Sequence, residues 1–230
     1  MSVRVAVVGG HGKTGRAVSA ALAARGATAV ALGRADRADL VAALDGCAAA
    51  YLIAPNLHPD EPAYVGETLE AARAAGVRRL VYHSVASPYA PEMPHHLGKA
   101  MSEDLVRRSG LEWTVLQPGA YLQNLDLGGP VVRVPYDVDA PFGFLDLADL
   151  GAAAATVLLD EGHVGATYEL AGRQASVGEL AAERGLLAER SVDPGSHPWL
   201  SAMFAYYDAH GLPVGTLPLR ALLGTSPPVS

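Results

Sequence analysis

The stretch "VRVAVVGGHGKTGRAV", residues 3–18, runs from an apolar segment through a glycine-rich turn into a helical pattern, and that succession sets the fold class. Gly12-Lys13-Thr14 ends like the phosphate loop of a nucleoside triphosphatase, but that loop requires a glycine five positions before its last one. Val7 stands there, inside the apolar run. A β-branched residue cannot make the anion-cradling turn, so the triphosphate reading fails. Gly9, Gly12 and Gly15 fit the spacing GxxGxxG, and Gly10, Gly12 and Gly15 fit GxGxxG, both patterns of dinucleotide-binding turns. The setting adds weight to the spacing. A buried-strand run precedes the turn, and a helix carrying Val18 and Leu22 follows it, closed by Arg25-Gly26. Strand, turn and helix N-terminus together make an anion site, with backbone N–H groups and the helix dipole facing a pyrophosphate. The plainer reading is an ordinary strand-to-helix turn.

The whole chain, at 230 residues, suffices for one full α/β domain with a large core and a small appendage, not for two equal domains. The formal net charge of −7 argues against a general affinity for nucleic acid, although a local basic pocket remains compatible with it. No uninterrupted apolar stretch reaches the roughly 20 residues of a membrane span, and Met1-Ser2 leads into a strand without the layout of a signal peptide. The expectation is a cytoplasmic protein with no membrane partner. The single cysteine, Cys47, excludes an internal disulfide and a multi-cysteine metal site, and reads as a small buried hydrophobe before a strand.

Strand and helix patterns alternate through the first half. "ATAVALG" (27–33), "AAAYLIA" (48–54), "RLVYHS" (79–84) and "WTVLQPG" (113–119) read as further strands, with helices at 39–44, 64–75 and about 96–108. Their near-continuous apolar character implies a parallel sheet covered on both faces. In the second half "DLADLGAAAATVLLD" reads as a helix from Asp146 to about Asp160, "ATYELAG" as a short strand, and "SVGELAAERG" as a helix with Ser176 at its N-cap and Glu179 three residues on. The tail beyond Asp193 is rich in proline and glycine around the aromatic cluster Phe204, Tyr206 and Tyr207.

In dinucleotide sites that take NAD, an acidic residue at the end of the second strand binds the ribose hydroxyls, whereas an arginine accommodates the 2′-phosphate of NADP. That strand ends "LGRADR" here. Arg34 holds the diagnostic place, Arg37 follows, and Lys13 lies in the glycine loop, so NADP (NADPH) is favoured over NAD. Asp36 between the two arginines speaks for the other cofactor, and the plainer role for both arginines is a solvated surface charge.

Beyond these motifs the chain resembles the NmrA-like branch of the atypical short-chain dehydrogenases, which includes quinone and triphenylmethane-dye reductases and redox-sensing regulators. The resemblance lies in "GGHGKTG", "AARAAGVRRLVYHSVAS", "HHLGKAMSEDLVRRSGLEWTVLQPGAYLQN", "FLDLADLGAAAATVLLDEGHVGATYELAG" and "YYDAHGLPVGTLPLRALLG", in the family's order over most of the chain. It implies a Rossmann-like doubly wound parallel sheet carrying NADP over residues 1–120, and a small substrate-binding region, partly integrated with the core, over 121–230. The cofactor set it implies comprises Gly9, Gly12, Lys13, Thr14, Gly15, Arg34, Ala54, Pro55, Ser84, Lys99, Pro118 and Tyr121; Ser87, Tyr89, Tyr121 and Asn124 are assigned to substrate. Two departures stand out. Between Arg34 and Ala48 the family usually carries a helix, a strand and an acidic turn, where this chain has only "ADRADLVAALDGC", so the sheet is expected to be one strand and helix short; the stretch from Asn124 to Phe144 is shortened too.

Related dehydrogenases use a tyrosine and a lysine four residues apart on one helix, plus a serine ending the preceding strand. Residues i and i+4 share a helix face, so the lysine can hold the nicotinamide ribose and tune the neighbouring acid. Lys99 fills the lysine position, His95 stands where the tyrosine would be, and Ser84, or Ser87, would hydrogen-bond a substrate carbonyl. A histidine can exchange a proton near neutral pH, so Lys99, His95 and Ser84 form the candidate catalytic set, unless His95 is a pocket residue without a chemical role. Purely structural roles compete at each of these positions: a solvated Lys99, a packed rather than catalytic His83, a Tyr121 that merely covers the core, and Phe204, Tyr206 and Tyr207 as the appendage's own core rather than a substrate wall. His58, His95 and His96 show no metal-ligand spacing, and no metal is expected. The expected activity is reduction of a quinone-like or conjugated carbonyl small molecule by a monomer or homodimer. The competing readings are a non-catalytic redox sensor and an isomerase or tailoring enzyme on the same scaffold.

Overall fold

The computed structural model describes residues 2–193, 195 and 197–224. Met1, on which part of the reading of the N-terminus rests, and Pro194, Ser196 and residues 225–230 of the tail lie outside that range. The first half alternates as its apolar pattern predicts: β1 (Arg4–Val8), α1 (Lys13–Ala24), β2 (Thr28–Leu32), α2 (Leu40–Leu44), β3 (Ala49–Leu52), α3 (Glu61–Ala74), β4 (Arg79–His83), α4 (Pro94–Arg107) and β5 (Glu112–Pro118). Helix α3 begins earlier than expected because Asp60 caps it, accepting from the Ala63 N–H, and Pro62 fits a first turn that has no use for its missing donor. Pro94 opens α4 in the same way, which puts His95 and His96 inside the first helical turn.

Six strands form one parallel sheet in the order β2, β1, β3, β4, β5, β9, the last being Ala166–Leu170 from the second half. Val5 pairs with Ala29 of β2 on one side and Ala49 of β3 on the other, so the winding reverses at β1. In such sheets ligands bind in the crevice where the order reverses, at the carboxyl ends of the strands. Strand β2 is one edge of the sheet among the described residues, β9 being the other, and only a short 3₁₀ turn (Ala35–Asp39) and α2 connect β2 to β3. The narrower sheet anticipated from "ADRADLVAALDGC" is the one observed.

Both faces are covered. One core joins Val18 and Leu22 of α1 to Val5, Tyr51 and Leu116, and to Leu150, Ala154 and Leu158 of a later helix; the other joins Leu44, Val65, Leu69 and Val106 to Ala6, Leu52 and Leu80. The rest of the second half comprises β6 (Ala120–Tyr121), β7 (Val131–Val134), β8 (Phe142–Leu145), that later helix α5 (Leu147–Leu159), β10 (Arg173–Ala175), α6 (Val177–Ala182), β11 (Leu187–Arg190), α7 (Pro198–His210) and α8 (Leu217–Leu223). Asp146 caps α5, and Ser176 and Glu179 form a reciprocal capping box on α6. A third core, around Tyr136, Phe142, Phe144, Val177, Leu180 and Tyr207, holds the small sheets β10-β8-β6 and β11-β7 beside the crevice. The proline-rich tail is helical because Pro198 and Pro218 sit in first turns, where proline starts a helix rather than breaking one. Among the described residues no helix is long and apolar enough to cross a membrane.

Candidate functional site

The glycine loop joins β1 to α1. Gly9 has φ +80°, and a Cβ there would stand 2.8 Å from the Ile53 carbonyl oxygen; at Gly15 it would stand 2.5 Å from the Gly9 carbonyl oxygen. The first glycine turns the chain and the last lets α1 press against the turn. Gly12 is the N-cap of α1 and provides no side-chain cap, so the N–H groups of the first turn are left for an outside acceptor. They face a cavity of about 1000 Å³ along the carboxyl ends of β1 to β5.

Every residue assigned above to the cofactor lines this cavity: Gly9, Gly12, Lys13, Thr14 and Gly15 from the loop, Arg34, Ala54 and Pro55 from the ends of β2 and β3, and Ser84, Lys99, Pro118 and Tyr121 farther along. The three cations near the loop differ. Arg37 lies 3.9 Å over the Tyr64 ring and donates to Glu67 at 2.5 Å and to Thr68, while Lys13 Nζ reaches Asn124 Oδ1 at 2.5 Å. Arg34 is exposed, and among the described residues its side chain has no hydrogen-bond or ion-pair partner. Asp36 folds back, its Oδ2 accepting from the Gly33 N–H at 2.7 Å, and does not line the cavity.

The middle of the cavity departs from expectation. Lys99 is buried, not solvated: Nζ donates to Glu61 Oε1 at 2.8 Å and to the His83 carbonyl at 3.4 Å, and the Tyr82 hydroxyl donates to the same Glu61 oxygen at 2.6 Å. His95 lines the cavity beside it, but burial, reinforced by Lys99, lowers its pKa to about 4. That shift favours the neutral ring at neutral pH. Ser84 gives its one proton to Glu103 Oε1 at 2.5 Å, so it offers a substrate carbonyl no donor. Glu103 is fully buried and also accepts from Gln117 at 2.7 Å and Arg107 at 3.2 Å.

Two residues assigned to substrate stand elsewhere. Tyr89 is exposed and turns its hydroxyl to Glu103 Oε2 at 3.4 Å; Ser87, with φ +51°, gives its N–H to Glu169, and its carbonyl accepts from His96. Neither lines the cavity, whose lining from this segment ends at Val85. Tyr121 and Asn124 do line it. His83, expected only to pack, is buried and lines the cavity as well, between the hydroxyls of Tyr51 at 2.7 Å and Tyr121 at 3.0 Å. Its place at the carboxyl end of a strand is the signal that could have marked it. Glu103 has one too, since Lys99, Glu103 and Arg107 form a ladder four residues apart on α4. Glu61 has none.

The far end is aromatic. Tyr136, Phe142, Phe144, Phe204 and Tyr207 form its wall, and Tyr207 meets Phe142 and Tyr136 with centroids 5.5 and 5.8 Å away. These rings are core and cavity wall at once, whereas Tyr206 packs on His210 outside it. Among the described residues no group of three or more His, Cys, Asp or Glu side chains is placed to hold a metal ion.

A sheet that reverses at β1, a glycine turn heading α1 and a cavity along the strand ends define a Rossmann-like α/β fold. The chain belongs to the NmrA-like family, whose sequence profile matches residues 14–183. It is 33% identical over 161 residues to an NAD(P)H azoreductase of Xenophilus azovorans, covering 66% of this chain and 56% of that protein. It is 32% identical over 173 residues to quinone oxidoreductase 2 of Escherichia coli, covering 71% and 59%. The matches thus span little more than half the length of these curated relatives. Among solved structures, the NADPH complex of an Escherichia coli NADPH-dependent quinone oxidoreductase superposes with a TM-score of 0.78 at 24% identity, covering 96% of this chain and 95% of that one. The NADP(H) complex of Citrobacter sp. triphenylmethane reductase gives 0.77 at 20% identity, covering 100% and 97%. At these identities the superpositions carry the fold.

Proposed function

We propose that this protein is an NADPH-dependent reductase of a quinone-like or conjugated carbonyl small molecule, working in the cytoplasm as a monomer or homodimer. The observation that carries the reading is one continuous cavity that joins an uncapped helix N-terminus and an unpartnered arginine to an aromatic wall. The residues at the first end fit the cofactor: the N–H groups of the first turn of α1 would hold the pyrophosphate and Arg34 the 2′-phosphate, with Asp36 turned aside. The cofactor supplies hydride when bound. Lys99 and His95 would border its reactive end, and Tyr136, Phe142, Phe144, Phe204 and Tyr207 would hold a planar acceptor and exclude water. The azoreductase and quinone oxidoreductase names of the curated relatives support this acceptor class. A second reading, a redox sensor without turnover, is favoured by one observation: Lys99 is held by Glu61 and His95 is neutral, so the usual acid pair is lacking. The test is NADPH oxidation against a panel of quinones and conjugated carbonyls. Acceptor-dependent consumption is expected; none, with cofactor binding intact, would replace the reductase by the sensor.

A further inference from the structure

Two buried histidines stand behind two tyrosines of this cavity, and their hydrogen bonds run in opposite senses. Tyr51 is fully buried, and among the described residues its hydroxyl meets one hydrogen-bond partner, His83 Nδ1 at 2.7 Å. A proton on Nδ1 would leave the Tyr51 O–H without an acceptor in the interior, whereas donation from Tyr51 to a bare Nδ1 satisfies both groups. Burial, reinforced by Lys99, lowers the His83 pKa to about 3, so the ring is neutral and carries one N–H. That proton is then on Nε2, and it is donated to Tyr121 Oη at 3.0 Å. Tyr121 accepts from His83 behind it and from the Thr14 hydroxyl beside it, which leaves its own proton for the cavity.

His96 is connected the other way. Its Nδ1 lies 3.2 Å from the Ser87 carbonyl oxygen, which can only accept, so Nδ1 carries the proton of this neutral ring. Nε2 is bare and lies 3.4 Å from the Tyr207 hydroxyl, which gives its proton to the histidine. Tyr207 therefore offers the cavity only lone pairs.

We infer that His83, positioned by Tyr51, makes Tyr121 the hydrogen-bond donor to the carbonyl oxygen of the bound acceptor, while His96 makes Tyr207 a group that only accepts. The identity of the acceptor rests on the reductase reading; the polarity of the two tyrosines does not. As the carbonyl carbon takes up hydride, NADPH being oxidised to NADP⁺, the π electron pair moves onto oxygen. The Tyr121 O–H meets that charge, and a proton from solvent completes the alcohol; where the acceptor is a quinone, that product becomes the hydroquinone by losing the new C–H as a proton to solvent while its second oxygen gains one. Tyr121 is the group that touches substrate; His83 and Tyr51 are positioning residues.

Long-range ¹H–¹⁵N correlation NMR on the full chain with ¹⁵N-labelled histidine reads both tautomers at neutral pH, with assignment through the ring contacts of His83 to Tyr51 and Tyr121 and of His96 to Tyr207. His83 is expected in the Nε2–H form and His96 in the Nδ1–H form; His83 as Nδ1–H would overturn the inference. With a turned-over quinone, Tyr121→Phe is expected to lower kcat on the order of 10²-fold with NADPH binding kept. An unchanged kcat in that variant would also overturn it. Absence of turnover by the unsubstituted protein sinks the reductase reading alone, since the tautomers still decide the polarity.

Discussion

The loop end of the cavity and the part beyond it are built from different materials. The loop end is backbone: Gly9, Gly12 and Gly15 shape it, and the N–H groups of α1 are its chemistry. The middle is backed by side chains that meet across the fold, in Tyr51–His83–Tyr121, Lys99–Glu61–Tyr82 and Ser84–Glu103–Gln117. The first suits any anion of the right shape. The second consists of buried polar groups that hydrogen-bond one another, so it fixes proton positions and is sensitive to the loss of any member.

The largest effect expected from this contrast is acid lability of the side-chain part. Burial lowers the pKa of His83 to about 3 and of His95 and His96 to about 4, from an ordinary value of 6.5. The unfolded chain therefore binds protons in a range where the folded one does not. Stability is fully present above about pH 6.5 and falls steadily as the pH drops toward 4, by up to about 3 kcal/mol for each histidine. Melting temperature measured from pH 8 to 4 should be flat and then fall; a profile unchanged down to pH 4.5 would refute the burial assigned to these rings.

Next in size is the Lys99–Glu61 pair. Glu61→Leu leaves a buried ammonium without its carboxylate and should cost about 3–5 kcal/mol. The double variant Glu61→Leu/Lys99→Leu should recover part of that loss in denaturant melts. Additive losses would mean that the pair is not coupled.

The loop end separates shape from binding. Gly15→Ala improves helix propensity yet should destabilise by about 2 kcal/mol, roughly 4–8 °C in Tm, because its Cβ would press on the Gly9 carbonyl. Gly12→Ala meets only the Gly9 carbonyl oxygen at 3.5 Å. It should move Tm by less than about 2 °C while weakening NADPH in a binding titration, since the Cβ stands where the phosphate would approach. Arg37→Ala should do least, about 0–1 kcal/mol in stability and no more than about twofold in NADPH affinity, because Glu67 and Tyr64 already hold that guanidinium.

The same division separates what is legible in the sequence from what is not. The glycine turn, the parallel strands from β1 to β5 and the caps of α5 and α6 follow from spacings within a few residues, and each is readable. Even the missing element beyond β2 shows as a shortened segment, "ADRADLVAALDGC". Helices α7 and α8 are hidden because Pro198 and Pro218, placed in first turns, look like breakers in a glycine-rich tail. The side-chain part is largely hidden for another reason: Glu61 reaches Lys99 across 38 positions of sequence and Tyr51 reaches His83 across 32, so no local pattern joins them. Helix spacing marks Lys99, but nothing nearby marks Glu61, which holds it. A strand end marks the Ser84 hydroxyl, but the carboxylate that takes its proton lies on another element.

If this cavity is an NADP(H) site whose loop end reads the 2′-phosphate through Arg34, titration with NADPH and NADH side by side, on the protein and on its Arg34→Ala variant, decides it. The unsubstituted protein should bind NADPH more tightly than NADH, and the variant should lose roughly 10–100-fold for NADPH while changing less than about twofold for NADH. Equal affinities for the two dinucleotides, or equal losses in the variant, would contradict that assignment.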